Sequence, residues 1–262
     1  MNEFETAKRV VVKVGSSTLT HATGGINLRQ IEELTKVLSD LKNQGRQIVL
    51  VSSGAIAAGM GQLGFTQRPS DIASKQAAAS VGQCSLMYLY DKFFSEYGHT
   101  VSQVLLTGDA VEHEERRQNI HNTFHRLLEL GVIPIANEND TVAVDEIRFG
   151  DNDNLSAIVA RLVDADALVL VSDIDGLYTG NPRENPDARL IPVVEEITDD
   201  LMEIAGGSGS NRGTGGMATK LAAARLVTQS GIHMAIVNGK KLSNLSRLFD
   251  GEEIGTHFIA RK

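Results

Sequence analysis

Apolar residues fall along this chain in two alternating rhythms. Short aliphatic, β-branched runs recur as RVVVKVG at 9–15, QIVLVS at 47–52, VSQVLLT at 101–107, VIPIAN at 132–137, ALVLVS at 167–172 and HMAIVN at 233–238. Each predicts a strand. Between them the spacing becomes helical. In NLRQIEELTKVLSDLKNQG (27–45) apolar residues stand at 31, 34, 37, 38 and 41, and Gly45 supplies the stop. Further helices are predicted after Gly54, over about 71–97, 116–130, 153–163, 198–205 and 217–230. SNLSRLFDG reads as a short helix and THFIAR as a last strand.

The strands are apolar on both faces, so both faces need cover. The pattern predicts an α/β fold, a three-layer α-β-α sandwich around a central, mostly parallel sheet. The length of 262 residues accommodates one large domain or two small ones. Sheets of this kind bind ligands at the carboxyl ends of their strands, and the unusual residues of this chain fall there.

Lys13 interrupts a strand that otherwise reads as buried. It needs an anionic partner or a route to solvent. KVGSS then forms a small, donor-rich turn of the kind that approaches phosphate oxygens closely. VSSGAIAAGMG (51–61) runs from a strand into a helix, so Ser52, Ser53 and Gly54 mark either an anion site or an ordinary cap. NENDTVAVDEIRFGDNDNLSAI (137–158) is rich in acids and asparagines. It lacks the glycine and distal glutamate of a calcium loop. Capping explains one of Asp151, Asn152 and Asp153. It does not explain Glu138, Asn139 and Asp140, where a carboxylate could hold a substrate ammonium or a pair of lysines.

GSGSNRGTGGMATK (207–220) is dense in glycine and closes on Lys220. It follows a helix rather than a strand, and no GK[ST] is present, so neither the dinucleotide fingerprint nor the Walker loop applies. A pliable loop entering a helix with a lysine one turn inside suits a phosphate chain; the alternative is a surface loop. VSDIDGLYTGNPRENPDARLI (171–191) reads as a long ordered loop.

Charge and composition narrow the partners. The net charge of -8 argues against a nucleic-acid surface but not against a small anion held in a cationic cleft. Cys84 is the one cysteine, so no internal disulfide forms; its helical surroundings predict a buried, inert thiol. MNEFETAKR has no apolar core of a secretory signal, and no apolar run reaches the ~18 residues of a membrane span. A cytoplasmic protein without a membrane partner is expected. The seven histidines, His21, His99, His113, His121, His125, His233 and His257, are scattered and form no catalytic pattern.

KVGSS, VSSGAIAAG, NENDTV, GDNDNLSA, SDIDGLYTGNPRENP and GTGGMATK stand in the order found in the amino-acid kinase family, and the chain resembles that family over nearly all of residues 8–260. DGLYTGNPRENP and GTGGMATKL carry most of the likeness. The resemblance implies a single kinase domain over 1–262, with about 1–165 holding the acceptor and about 166–262 the nucleotide. It is strongest to members that use ATP and Mg²⁺ to phosphorylate the γ-carboxylate of L-glutamate, the opening step of proline synthesis. It also implies a homo-oligomer and L-proline as a feedback inhibitor. Many members carry a further C-terminal domain of the PUA type. Because the chain ends at Lys262, that domain is expected to be missing, with whatever regulation or assembly depends on it.

The same resemblance assigns roles. Lys13 and Lys220 would neutralise the transferring phosphoryl group, and Asp153 would orient both. Gly15 and Ser16 would shape the pocket for the β- and γ-phosphates. Ser53, Asp140 and Asn152 would bind glutamate. Ser172 and Asp173, with Thr214, Gly215, Gly216, Met217, Ala218, Thr219 and Lys220, would line the nucleotide site. The chemistry is consistent with this division. A glutamate γ-carboxylate, with an ordinary pKa of about 4.3, is already an anionic nucleophile and needs no general base. The protein has to supply positive charge and alignment. Mg²⁺ binds mainly through phosphates in such sites, so no protein ligand is assigned to it. Two other readings stay open: a relative acting on a different small carboxylate, and a nucleotide-binding regulator without catalysis.

Overall fold

The computed structural model describes residues 2–21, 25–142, 152–182, 184–206 and 216–261. The aliphatic runs form the strands, β1 (Arg9–Val14), β2 (Gln47–Ser52), β3 (Val101–Leu106), β4 (Ile133–Glu138), β5 (Ala167–Ser172), β6 (Val193–Val194), β7 (His233–Asn238) and β8 (Thr256–Phe258). The helices are α1 (Glu3–Thr6), α2 (Ser16–Leu19), α3 (Leu28–Asn43), α4 (Ala55–Leu63), α5 (Ile72–Glu96), α6 (Gly108–Glu112), α7 (Glu114–Glu129), α8 (Asn152–Leu162), α9 (Asp199–Gly206), α10 (Met217–Thr228) and α11 (Ser243–Phe249).

Three short helices and one strand were not legible in the pattern. α1, α2 and α6 are single turns, and β6 has two residues, too few for any period to register. The turn expected at KVGSS is therefore the start of α2, with Gly15 as its N-cap residue. The last strand stops at Phe258 rather than running to Arg261.

The eight strands form one sheet in the order β3-β4-β2-β1-β5-β7-β8-β6. β2–β4, β3–β4, β5–β7 and β6–β8 run parallel, and β7–β8 antiparallel. This is the α/β, mostly parallel arrangement the pattern predicts. By internal contacts the chain groups into two compact units, residues 14–148 and residues 1–13 with 149–262.

In the unit of residues 14–148, β4 lies between β2 and β3 and parallel to both, so the segments after Ser52 and Glu138 leave at the same end. α3 is capped by the Asn27 side chain on the Gln30 amide and buries Ile31, Leu34, Leu38 and Leu41 along one stripe. α4 and α5 touch backbone to backbone. A Cβ on Gly59 would lie 1.8 Å from the Ala78 carbonyl oxygen, and one on Gly82 would lie 1.8 Å from that of Ala55. Glycine is required there for close approach rather than for its φ. α5 buries Ala78, Gly82, Leu86, Tyr90 and Phe94 at four-residue spacing. Cys84 lies off that stripe and is exposed, which corrects the expectation of a buried thiol.

In the other unit, the Asp166 carboxylate accepts from the Lys8 and Arg9 amides at 2.8 and 2.7 Å and so pins the start of β1. Phe4 of α1 is buried against the rings of Phe249 and His257. α8 and α10 pack on one another. Among the described residues, no helix is long and apolar enough to cross a membrane.

Candidate active site

The unit of residues 1–13 and 149–262 brings three charged side chains together from three distant stretches of sequence. Lys13 comes from β1, Asp153 from the first turn of α8 and Lys220 from the first turn of α10. Lys13 Nζ is 2.6 Å from Asp153 Oδ1, and Lys220 Nζ donates to Asp153 Oδ2 at 2.8 Å. The lysines are each 5% exposed and Asp153 is 0% exposed. The buried lysine therefore has its anionic partner. The Thr219 hydroxyl lies 3.1 Å from Asp153 Oδ2 and 2.7 Å from the Gly216 carbonyl oxygen, so it can donate to either. The Ser156 hydroxyl donates to the Asp153 carbonyl at 2.6 Å and fixes the first turn of α8.

Burial alone would push the Asp153 carboxyl upward. The two ammonium groups more than reverse that and hold it well below the usual carboxylate range. These three groups sum to one positive charge at neutral pH, in a place where an unbalanced charge is costly. An anionic phosphoryl group is a complementary guest. A divalent cation is not, because each Asp153 oxygen already faces an ammonium.

The other expected residues of this unit sit at strand and helix ends. Gly216 is the N-cap residue of α10, and Met217, Ala218 and Thr219 make its first turn. Thr214 and Gly215 lie outside the described residues, as does the rest of the glycine stretch 207–215. Asn152 opens α8 next to Asp153. Ser172 ends β5, its carbonyl accepts from the Gly239 amide at 2.7 Å, and its hydroxyl donates to Asp173 at 3.3 Å.

The loop after β5 is held at points that sequence reasoning missed. Asp175 accepts from Asn238 Nδ2 at 2.6 Å and from the Tyr178 hydroxyl at 3.0 Å. The Thr256 hydroxyl accepts from the Leu177 amide at 2.7 Å and donates to the Ile191 carbonyl at 2.6 Å. A Cβ on Gly176 would lie 2.4 Å from Thr256 Oγ1. The one sequence signal was the polar Asn238 at the end of an aliphatic run.

In the unit of residues 14–148, Gly15, Ser16, Ser53 and Gly54 come together. The Ser53 amide donates to the Val14 carbonyl at 3.1 Å. Gly54 takes φ 100°, and a Cβ there would lie 3.6 Å from Leu19 Cδ1 and 3.9 Å from the Ser16 Cα. Gly54 therefore answers a left-handed backbone requirement at the entry to α4. Asp140 follows β4, half-buried, in a turn where the Asn139 amide donates to the Leu106 carbonyl at 2.8 Å.

Two side-chain hydrogen bonds of this unit, one buried and one partly buried, have no counterpart in the sequence reading. Ser52 Oγ and the Tyr90 hydroxyl lie 2.8 Å apart, and Asn137 Nδ2 donates to Gln83 Oε1 at 2.9 Å.

Comparison with known proteins identifies the family of the chain. Residues 8–238 match the model of the amino acid kinase family. The chain is 55% identical over 260 residues to a glutamate 5-kinase of Clostridium perfringens, covering 98% of this chain and 97% of that protein. A glutamate 5-kinase of Carboxydothermus hydrogenoformans is 54% identical, covering 99% of this chain and 70% of that protein. Among solved structures, a UMP kinase from Bacillus anthracis superposes with a TM-score of 0.65 at 17% identity, covering 98% of this chain and 97% of that one. An isopentenyl phosphate kinase from T. acidophilum does so with a TM-score of 0.63 at 18% identity, covering 96% of this chain and 100% of that one. At those identities the likeness is one of fold.

Proposed function

We propose, for a chain that belongs to the amino acid kinase family, that it transfers the γ-phosphoryl group of ATP to the γ-carboxylate of L-glutamate, yielding ADP and L-glutamyl 5-phosphate for proline synthesis. The carrying observation is the buried Lys13–Asp153–Lys220 cluster, supported by the glutamate 5-kinase relatives at 50–55% identity.

The acceptor is already an anion, so the obstacle is repulsion between a carboxylate and the phosphate chain. Lys13 and Lys220 offset that repulsion, and preorganised charges need no reorganisation as the transferring group approaches. Asp153 fixes the two ammonium groups and limits their side-chain freedom. Gly15 and Ser16 approach the β- and γ-phosphates. Ser172, Asp173 and Thr214 through Lys220 line the nucleotide. Asp140 takes the α-ammonium of glutamate, the amides around Ser53 take its α-carboxylate, and Asn152 contributes to glutamate binding. A magnesium ion bound with ATP would supply further charge screening at the phosphates, and no protein ligand is assigned to it. The same reading takes the enzyme as a cytoplasmic homo-oligomer with L-proline as its feedback inhibitor.

The test is coupled ADP release from ATP with L-glutamate, L-aspartate, N-acetyl-L-glutamate, carbamate or UMP, each with and without L-proline. Turnover with L-glutamate and much weaker turnover with the rest is expected. Preferred use of another acceptor, or ATP binding with no turnover on any of them, overturns the proposal.

A further inference from the structure

α5 reaches the ends of both strands that lead into the proposed acceptor-binding turns. Gln83 and Tyr90 stand seven residues apart, two helical turns, and so share one face of α5. Tyr90 is fully buried, and its hydroxyl meets Ser52 Oγ at 2.8 Å, at the last residue of β2 and one residue before Ser53. Gln83 Oε1 accepts from Asn137 Nδ2 at 2.9 Å, three residues before Asp140 at the end of β4. Asn137 is itself buried. Beside Gln83, Gly82 brings the backbone of α5 against the Ala55 carbonyl, in the first turn of α4 and one residue after Gly54. Three consecutive features of one helix thus touch β2, β4 and the entry to α4.

The chemistry at these points is not what core packing alone would select. A phenylalanine in place of Tyr90 would fill the same volume without a buried hydroxyl, whose desolvation is costly unless it is bonded. Burial also pushes the Tyr90 phenol well above its ordinary value, so the group is a neutral, permanent hydrogen-bonding partner. Neutral bonds between a rigid helix and two strand ends fix distances without adding charge near a substrate that carries its own.

We infer that α5 acts as a gauge that sets the spacing of the two acceptor-binding turns, with Tyr90 and Gln83 as positioning residues for glutamate. This rests on the reading of Ser53 and Asp140 proposed above. Tyr90 acts through Ser52 on Ser53, and Gln83 through Asn137 on the segment that carries Asp140.

The experiment is steady-state kinetics of the full chain carrying Tyr90→Phe, Gln83→Leu, or Ser52→Ala with Tyr90→Phe, with folding checked by far-UV circular dichroism and melting. The glutamate KM of each single variant is expected to rise about fivefold, the scale of one lost hydrogen bond, with kcat and the ATP KM within about twofold of wild type. A purely structural role would lower the melting temperature without separating the two KM values. The Ser52→Ala, Tyr90→Phe double variant is expected to lose at least as much as Tyr90→Phe alone, because it removes the shared contact and also the bond from the Ser52 hydroxyl to the Ser53 carbonyl at 3.1 Å. Folded variants with a wild-type glutamate KM overturn the inference while leaving the proposed reaction intact. A wild type inert on glutamate overturns both. Should Tyr90→Phe fail to fold, Gln83→Leu decides the outcome by the same criterion.

Discussion

Each compact unit holds a cluster of polar side chains between strands and helices, and the two clusters are of opposite kinds. In the unit of residues 1–13 and 149–262 the cluster is ionic, with the Lys13 and Lys220 ammonium groups 2.6 and 2.8 Å from the two Asp153 carboxylate oxygens. In the unit of residues 14–148 the pairs are neutral, Ser52 with Tyr90 and Asn137 with Gln83. Burying ions is expensive, and hydrophobic replacements often do no harm to stability. An ion cluster is therefore weak as a stability device and strong as an electrostatic one. Neutral pairs cost little and hold geometry. On the function proposed above, the ionic cluster compensates charge and the neutral pairs set spacing.

The largest expected effect comes from breaking the ionic side of that contrast. Asp153→Ala leaves two buried ammonium groups facing each other without their shared carboxylate. Removing one partner of a buried ionic group costs about 3–5 kcal/mol. In a chain of this size that lowers Tm on the order of 10 °C, and thermal melting measures it. Asp153→Asn keeps the shape and removes the charge, so it separates the electrostatic loss from the lost volume. If both variants melted with the wild type, the cluster would not have the interdependence argued here.

Next comes Lys220→Ala, whose effect falls on rate. One preorganised electrostatic donor is worth about 3 kcal/mol in the transition state, or on the order of a hundredfold in kcat. Lys13 remains on Asp153, so folding should suffer less than in Asp153→Ala. Glutamate KM should move less than kcat. An unimpaired kcat would remove Lys220 from the chemistry and leave the cluster a structural feature.

How much of this was readable beforehand differs between the two units in the same way. Lys13 was legible because a lysine inside an aliphatic run poses a problem that only a partner or solvent can solve. Lys220 was legible from its place one turn beyond a glycine stretch. That both meet Asp153 followed from family likeness, since nothing local in GDNDNLSA separates an N-cap acid from a buried counter-ion. The neutral side was almost silent. Tyr90 sits in SLMYLY beside exposed Tyr88, and only the fold shows which of the two is buried. Gln83 and Asn137 are 54 residues apart and carry no signal but polarity. Cys84 was misjudged because α5 has small residues on several faces, which blurs its apolar stripe. Ser52 and Asn137 did offer one clue, a polar residue at or next to the end of each buried strand.

A smaller effect tests the neutral side by shape. Helix propensity alone predicts that Gly82→Ala, in the interior of α5, stabilises by roughly 1 kcal/mol. The close approach predicts the reverse, because the new methyl would lie 1.8 Å from the Ala55 carbonyl oxygen, a backbone atom that cannot rotate away. A net loss of about 1–3 kcal/mol is expected, the range for overpacking. Denaturant unfolding reads the sign. A stabilised variant would show that α4 and α5 separate freely, and the spacing role of α5 would lose its rigid base.

The smallest effect is the response to mild acid, and it keeps the ionic cluster apart from buried His257 and half-buried His99 and His233. Burial lowers the His257 pKa, while its bond to the Ile254 carbonyl and the charges of Glu3 and Glu253 pull the other way. Burial likewise lowers His99 and His233. A histidine whose folded pKa is depressed contributes nothing to the pH dependence above its unfolded value of 6.5. As pH falls through that value the unfolded chain takes the proton first, so stability declines until the folded pKa is passed. Asp153 behaves differently. Its folded pKa lies far below the unfolded 3.8, so its contribution is complete above that value and is lost only as pH falls through the folded one. Melting from pH 7.5 to pH 5 should therefore show a gradual decline that Asp153→Asn leaves in place and His257→Gln reduces. A decline abolished by Asp153→Asn would mean that the cluster titrates near neutrality, with its charges far less tightly held than the 2.6 and 2.8 Å contacts require.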